Sequence, residues 1–161
     1  AVVSEKVRKM ATRCTITMRG LNGREYRIYR HYDGYPEGVV SDLWVFTQLY
    51  NRSFFGDPEY FLADFIFCAK LAWMKSGEGK IGKYRHWEYG YGVCTPDCEH
   101  GDLEYKYLIY PKNGKVMLKI ERIDYESREF REVFNDEIEE AFKRWAREDG
   151  CHLRREWLPS P

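Results

Sequence analysis

The sequence predicts an α+β domain whose antiparallel sheet of four to five strands is built from two hairpins and packed with about three α-helices. Two pairs of alternating apolar and polar segments predict the hairpins, and three stretches with helical spacing of apolar residues predict the helices. The order ββαα–ββ(β)α separates the helices from the strands, as in α+β folds. The length of 161 residues is that of one domain. We expect that domain to span residues 1–161, with flexible tails at residues 1–11 and 152–161.

The first hairpin is marked by Cys14–Arg19, which alternates apolar and polar residues, and by a second segment at residues 24–31. Asn22 and Gly23 between them favour a tight turn, because both types tolerate a positive φ. A two-residue loop would place Cys14 opposite His31. A bulged three-residue loop would shift the pairing by one and place His31 on the other face of the sheet.

Two helices follow. The first is predicted within residues 39–51. The second is predicted at residues 58–75, with Asp57 as N-cap, Pro58 in the first turn and Gly77 after its end. Its interior is apolar apart from two charged residues, which is typical of a helix central in a core or shared with another subunit.

The second half of the chain begins with residues 76–101, a long connection rich in glycine and aromatic residues without periodicity. A second hairpin follows, with its turn at residues 111–114. Residues 123–134 are ambiguous between a further strand and irregular structure. Asn135 is the expected cap of a final helix that ends before Gly150.

Charge and composition limit the classes of function. Lys and Arg total 26 and so do Asp and Glu, which argues against a whole-molecule attraction to nucleic acid or an anionic membrane. The absence of a long apolar run or a signal-peptide pattern predicts a cytoplasmic protein. Charged residues make up 32% of the chain, while Gln48 is its single glutamine. This bias is typical of hyperthermophile proteins, whose intracellular cysteines can form disulfides.

Three short motifs carry a resemblance to a family. They are Thr12-Arg13-Cys14-Thr15-Ile16, then His31-Tyr32-Asp33-Gly34-Tyr35-Pro36, and later Asp102-Leu103-Glu104-Tyr105. Together they resemble a group of uncharacterised phage, plasmid and archaeal-virus proteins. The resemblance implies a viral or plasmid origin in a thermophile, hence residence in the host cytoplasm, but no mechanism. Cys14 stands where that family often has Ser, which argues against an obligatory nucleophile there.

The segment around the second motif is the first candidate site. His31 and Asp33, with Glu37 nearby, could serve as an acid–base pair or as ligands in a metal-dependent hydrolase or nuclease. The alternative is a structural turn in which the tyrosines pack on the sheet. We expect the main binding surface to comprise Arg30, His31, Tyr32, Asp33 and Tyr35.

The cysteines form a second candidate. Cys94, Cys98 and His100 could supply three zinc ligands, with Cys151 or His152 as the fourth. A disulfide between Cys94 and Cys98, or from either to Cys151, and free thiols are the alternatives.

Basic and aromatic residues alternate in the loop at residues 76–91. Such a segment can neutralise phosphates and stack on bases, or it can fold back onto the core. The candidate residues for nucleic-acid binding are Lys80, Lys83, Tyr84, Arg85 and Trp87.

The helix at residues 58–75 carries an apolar stripe through Phe67 and Met74. Glu59 with Lys70, and Asp64 with Lys75, lie on its two edges at 100° per residue. This pattern predicts a protein partner or self-association as a homodimer, unless residues 76–101 cover the stripe. The sequence therefore favours a non-enzymatic binding module. A metal-dependent hydrolase and a nucleic-acid-binding protein are the alternatives.

Overall fold

A computed structural model describes residues 12–50, 54–75, 90–95, 97, 100–148 and 150–157. The expected N-terminal tail lies outside these residues. The elements are β1 (Cys14–Arg19), β2 (Glu25–Arg30), α1 (Pro36–Leu49), α2 (Pro58–Lys75), β3 (Tyr91–Cys94), β4 (Tyr105–Lys112), β5 (Lys115–Ile123), β6 (Phe130–Glu137) and α3 (Ile138–Trp145), followed by a short 3-10 turn at Arg155–Trp157.

The described strands form one sheet in the order β3-β2-β1-β4-β5-β6. The α+β class is confirmed, but the sheet is mixed, because β1 and β4 pair in parallel. The chain between them includes β2, α1, α2 and β3, and such a long crossover is what a parallel pair requires. The expected four to five strands become six. β3 was missed because it has only four residues, one of them Gly92, within the stretch that lacks periodicity.

The first hairpin adopts the shifted register, with Cys14 opposite Arg30. The turn is longer than two residues: the Gly20 N–H donates to the Arg24 carbonyl at 2.9 Å, and Gly23 has a φ of +78°. This register turns the Arg30 side chain toward the core side of the sheet, where Cys14 lies. It places His31 on the opposite face.

The second hairpin forms at the expected turn, where Asn113 and Gly114 both have positive φ. The ambiguous segment contributes β6 as a strand. The expected cap at Asn135 is wrong, because Asn135 pairs with Lys119 inside β6 and α3 begins only at Ile138. Local capping preference therefore yields to strand pairing at this position.

The helices supply one side of the core. From β1, the side chains of Cys14, Ile16 and Met18 are all fully buried. α1 contributes Val39, Val40, Leu43, Val45 and Phe46 to the same cluster, and α2 contributes Phe61, Leu62, Phe65, Ala69 and Ala72. α2 matches the predicted range, and among the described residues its buried side chains lie on the side that faces the core cluster. No helix among the described residues combines the length and apolar character needed to cross a membrane.

The C-terminal segment departs from the expected tail. His152 is 4% exposed and Leu153 is fully buried, and the 3-10 turn contacts α2. The expectation of a flexible tail from residue 152 is therefore wrong for these residues.

Candidate functional site

A buried ion pair lies between β2 and α1. Arg30 Nη1 donates to Asp42 Oδ2 at 2.8 Å, and both side chains are 0% exposed. Arg30 Nε also donates to the Tyr32 carbonyl at 2.8 Å. Burial would lower the pKa of Arg30, but Tyr91 and Asp42 hold it well above its usual value, so the guanidinium stays charged. A charge in such a place requires this complete set of partners.

The second oxygen of Asp42 fixes the C-terminal segment. Asp42 Oδ1 accepts hydrogen bonds from the backbone N–H groups of Cys151, His152 and Leu153 at 2.7, 2.8 and 3.0 Å. Gly150 precedes them with a φ of +44°, and a Cβ there would lie 2.5 Å from the Leu153 carbonyl oxygen. Only glycine fits that position without displacement. The ion pair thus anchors a segment 109 residues away in sequence.

The anchored segment brings side chains together that we name the Asp33 cluster: Asp33, Tyr35, Tyr91, Cys151 and His152. His152 Nε2 lies 3.1 Å from Asp33 Oδ2, and Tyr91 Oη lies 2.8 Å from His152 Nδ1. The Tyr35 hydroxyl donates to Asp33 Oδ1 at 3.3 Å and lies 3.7 Å from Cys151 Sγ. Asp33 has a φ of +54°, a conformation that a non-glycine residue keeps only where its surroundings impose it.

The electrostatics of the cluster follow from burial. Burial and the Arg30 charge lower the pKa of His152, so its imidazole is neutral at neutral pH. Burial would raise the pKa of Asp33, but its hydrogen bond with His152 and the Arg30 charge together hold it below its usual value. Burial and Asp42 raise the pKa of Cys151 to about 12. The cluster therefore combines a carboxylate, a neutral imidazole and a protonated thiol, which is not an activated cysteine nucleophile.

Two glycines, Gly34 in the second motif and Gly38 in the first turn of α1, allow this close packing. A Cβ on Gly38 would lie 2.5 Å from the Asp33 carbonyl oxygen. A Cβ on Gly34 would lie 2.8 Å from the carbonyl oxygen of Thr12, which already accepts the Gly34 N–H. At these two positions the absence of a side chain is thus what lets the backbone segments lie so close together.

The expected pairing of His31 with Asp33 does not form. His31 Nδ1 lies 2.6 Å from Tyr29 Oη and 3.3 Å from Arg13 Nε, on the opposite face from the Asp33 cluster. Burial and Arg13 lower the pKa of His31. Glu37 is exposed in the first turn of α1. The three candidates for a hydrolase therefore have separate surroundings.

The expected binding surface is divided in the same way. Arg30 is fully buried, so its inclusion in a surface is wrong, and the shifted hairpin register is the cause. Asp33 and Tyr35 are half-buried and belong to the Asp33 cluster. His31 and Tyr32 are half-buried on the other side and contact each other edge to face, with ring centroids 4.6 Å apart.

The cysteines separate into two groups. Cys151 is a free thiol beside Tyr35, so a disulfide from Cys94 or Cys98 to Cys151 is wrong. Cys94 Sγ lies 3.3 Å from His100 Nε2, whereas the Cys151 thiol contacts the Tyr35 hydroxyl. Cys98 lies outside the described residues, and so does the Cys94–Cys98 pairing. Two other cysteines, Cys14 and Cys68, are free.

Most of the aromatic and basic loop, residues 76–89, lies outside the described residues. All five candidates for nucleic-acid binding fall there: Lys80, Lys83, Tyr84, Arg85 and Trp87.

The outer side of α2 is a second candidate site. Phe67 is 61% exposed and Tyr60 is 54% exposed, and the two lie seven residues apart on one face. On the inner side of the same helix, Phe65 is fully buried. We name the outer surface the α2 stripe; it comprises Tyr60, Ala63, Phe67, Leu71 and Met74.

Sequence reasoning missed Asp42 and Tyr91 and gave His152 only a minor role. A signal was present for Asp42, which interrupts an apolar run with a carboxylate that has to be paired once buried. Gly150 directly before Cys151 and His152 was a second signal, typical of a backbone held in a special conformation.

Comparison of the chain with protein-family models, with curated proteins and with solved structures found no match. The viral or plasmid origin inferred from the three motifs stays a prediction.

Proposed function

We propose that this protein is a non-enzymatic interaction module that binds a second copy of itself through the α2 stripe. The observation that carries the proposal is the exposure of Phe67, at 61%, in the middle of a helix whose opposite side is packed into the core. A solvated phenylalanine leaves a large apolar surface in water, and its removal from water contributes about 25 cal/mol per Å².

The stripe is symmetric about Phe67. Tyr60 and Met74 lie seven residues before and after it, and Ala63 and Leu71 lie four residues before and after it. At 100° per residue, all four fall within about 40° of the direction of Phe67. A surface with this symmetry suits an isologous contact, in which the same patch meets itself across a two-fold axis.

The charges flanking the stripe favour one orientation. Each edge has an acid toward the N-terminus and a lysine toward the C-terminus: Glu59 and Lys70 on one edge, Asp64 and Lys75 on the other. In a two-fold antiparallel contact each edge runs beside the same edge of the second copy in the reverse direction. Acids then face lysines on both edges, whereas a parallel contact places like charges together. Charges at a rim set orientation and association rate more than affinity.

Sedimentation velocity over a concentration series tests the proposal. We expect a mass that rises from monomer to dimer with concentration for the unmodified chain. Phe67→Glu should remain monomeric throughout. The matched control is Leu21→Glu, which places the same charge at an apolar residue that is 75% exposed in the first hairpin turn. It should dimerise like the unmodified chain.

A charge exchange tests the orientation. Lys70→Glu combined with Lys75→Glu makes both edges acidic, and Glu59→Lys combined with Asp64→Lys makes both edges basic. Each double variant should self-associate less than the unmodified chain, and an equimolar mixture of the two should form a heterodimer. A monomeric mass for the unmodified chain at every concentration, or equal loss from Phe67→Glu and Leu21→Glu, would overturn the proposal.

A further inference from the structure

We propose that Asp33, Cys151 and His152 bind a divalent transition-metal ion of the zinc type. One ligand atom from each residue lies within 4.8 Å of the others, and they come from two segments that the fold brings together. The ligands of a tetrahedral zinc site lie roughly 3.5 Å apart, given bond lengths near 2.0–2.3 Å. Closing the site therefore requires the most distant pair of ligand atoms to approach by only about 1 Å.

The donor set selects the class of ion. A thiolate and an imidazole favour zinc over magnesium or calcium, which prefer oxygen ligands throughout. Three protein ligands leave one position of a tetrahedron open. The Tyr35 hydroxyl lies beside two of the three ligands, 3.3 Å from Asp33 Oδ1 and 3.7 Å from Cys151 Sγ.

The ligands are oriented by groups behind them. Asp42 holds the backbone N–H groups of both Cys151 and His152, so the two side chains leave a fixed backbone. Tyr91 Oη contacts His152 Nδ1 at 2.8 Å and leaves Nε2 directed at Asp33. Such outer partners of a ligating histidine set its tautomer and ring orientation.

The neighbouring arginine does not prevent cation binding. Arg30 Nη2 lies 3.4 Å from His152 Nε2, but the Arg30 charge is already paired with Asp42 at 2.8 Å. Asp33 is then the carboxylate left to face a cation. When the ion binds, Cys151 releases its thiol proton to solvent, and His152 carries its single ring proton on Nδ1, where Tyr91 accepts it.

Cobalt(II) titration of the chelator-treated full chain, followed by absorption spectroscopy, tests the site. We expect saturation at one equivalent, with a thiolate-to-cobalt charge-transfer band that zinc abolishes by competition. Cys151→Ser should lose that band. Cys68→Ser and Cys94→Ser should keep it, which distinguishes this site from one built on Cys94 and His100.

Two further variants keep the Cys151 thiol, so the test does not depend on whether Cys151→Ser folds. Asp33→Asn should weaken cobalt affinity at least tenfold, and Tyr91→Phe, which keeps all three ligands, should weaken it about ten- to a hundredfold. Circular dichroism confirms that each variant is folded. Absence of saturable cobalt binding would overturn the proposal, and so would a charge-transfer band that survives Cys151→Ser and disappears in Cys94→Ser. Neither result depends on whether the chain dimerises.

Discussion

Two regions of the molecule depart from the usual rule that charged side chains are exposed and apolar ones are buried. One is the ion pair beside the Asp33 cluster, and the other is the α2 stripe. Arg30 and Asp42 are charged and fully buried, whereas Phe67 is apolar and largely exposed. The buried pair is tolerated because every charge has a partner, so it depends on exact geometry across distant segments. The exposed stripe makes few demands on the fold. Removal of a buried partner should therefore strongly destabilise the protein, and removal of a stripe residue should leave its stability nearly unchanged.

The largest expected effect is that of Asp42→Ala. It leaves the Arg30 charge unpaired in the core and removes the acceptor for the backbone of residues 151–153, so we expect a loss of about 3–5 kcal/mol in the free energy of unfolding. Urea denaturation measures it. The control Glu126→Ala, at an exposed turn residue, should change stability by less than about 0.5 kcal/mol. A loss at Asp42 as small as that at Glu126 would contradict the anchoring role.

The change in stability caused by Gly38→Ala shows whether close packing or helix propensity dominates at this position. Propensity alone would stabilise α1 by about 1 kcal/mol. The new Cβ would lie 2.5 Å from the Asp33 carbonyl oxygen, and we expect this overpacking to prevail, with a net loss of about 1–3 kcal/mol. Gly101→Ala has nothing within 4 Å of its Cβ and should be neutral or slightly stabilising. Thermal unfolding measures the stability of both variants. Stabilisation by Gly38→Ala would contradict the expectation and show that the backbone at Asp33 can move away from the new Cβ.

The pKa of the Cys14 thiol provides a test of how well water is excluded from the core beside Arg30. Burial raises the pKa of its thiol from 9.0 to about 12, against the smaller opposing effect of Arg30. A raised native pKa means that the unfolded chain loses its proton first. The contribution of the protonated Cys14 thiol to the free energy of unfolding is therefore fully present below pH 9.0 and is lost as the pH rises toward 12.

Cys14→Ala should therefore flatten the alkaline fall in unfolding free energy by at most about 1.4 kcal/mol per pH unit. Urea unfolding at several alkaline pH values measures the slope. Cys68→Ala, at a half-buried thiol, should change the slope less. Equal slopes for Cys14→Ala and the unmodified chain would indicate that water reaches Cys14.

The smallest expected effect is that of Phe67→Ala on the fold. At a protein concentration below the dimerisation range, the free energy of unfolding should change by less than about 0.5 kcal/mol. Phe65→Ala, two residues away and fully buried, should cost about 3–5 kcal/mol. Urea denaturation of the two variants measures the difference. A loss above 1 kcal/mol at Phe67 would assign it to the core instead of an interface.

Much of the secondary structure follows from local pattern. The β1 and second-hairpin segments alternate apolar and polar residues, and Pro58 begins α2 at the expected residue. Asn113 and Gly114 turn the chain because their types accept positive φ. These features depend on neighbours a few residues away, so the sequence predicts them well. β3 escaped detection because four residues carry too little periodicity.

The sites depend on contacts that no local pattern encodes. The motif around Asp33 was recognised by its composition, but its true partner was His152, 119 residues later, and not His31. One residue of register in the first hairpin decided this, because it turned Arg30 inward and His31 outward.

By itself, the sequence determined the α+β class, the extent of α2 and the apolar stripe with its charged edges. Helical and strand periodicities set these features directly. The tertiary structure alone decided that β1 pairs with β4 in parallel, that the C-terminal segment is buried, and that Asp42 anchors it. Each of these depends on contacts between segments far apart in the chain, and a buried charge such as Asp42 is stable only where the whole fold supplies its partners.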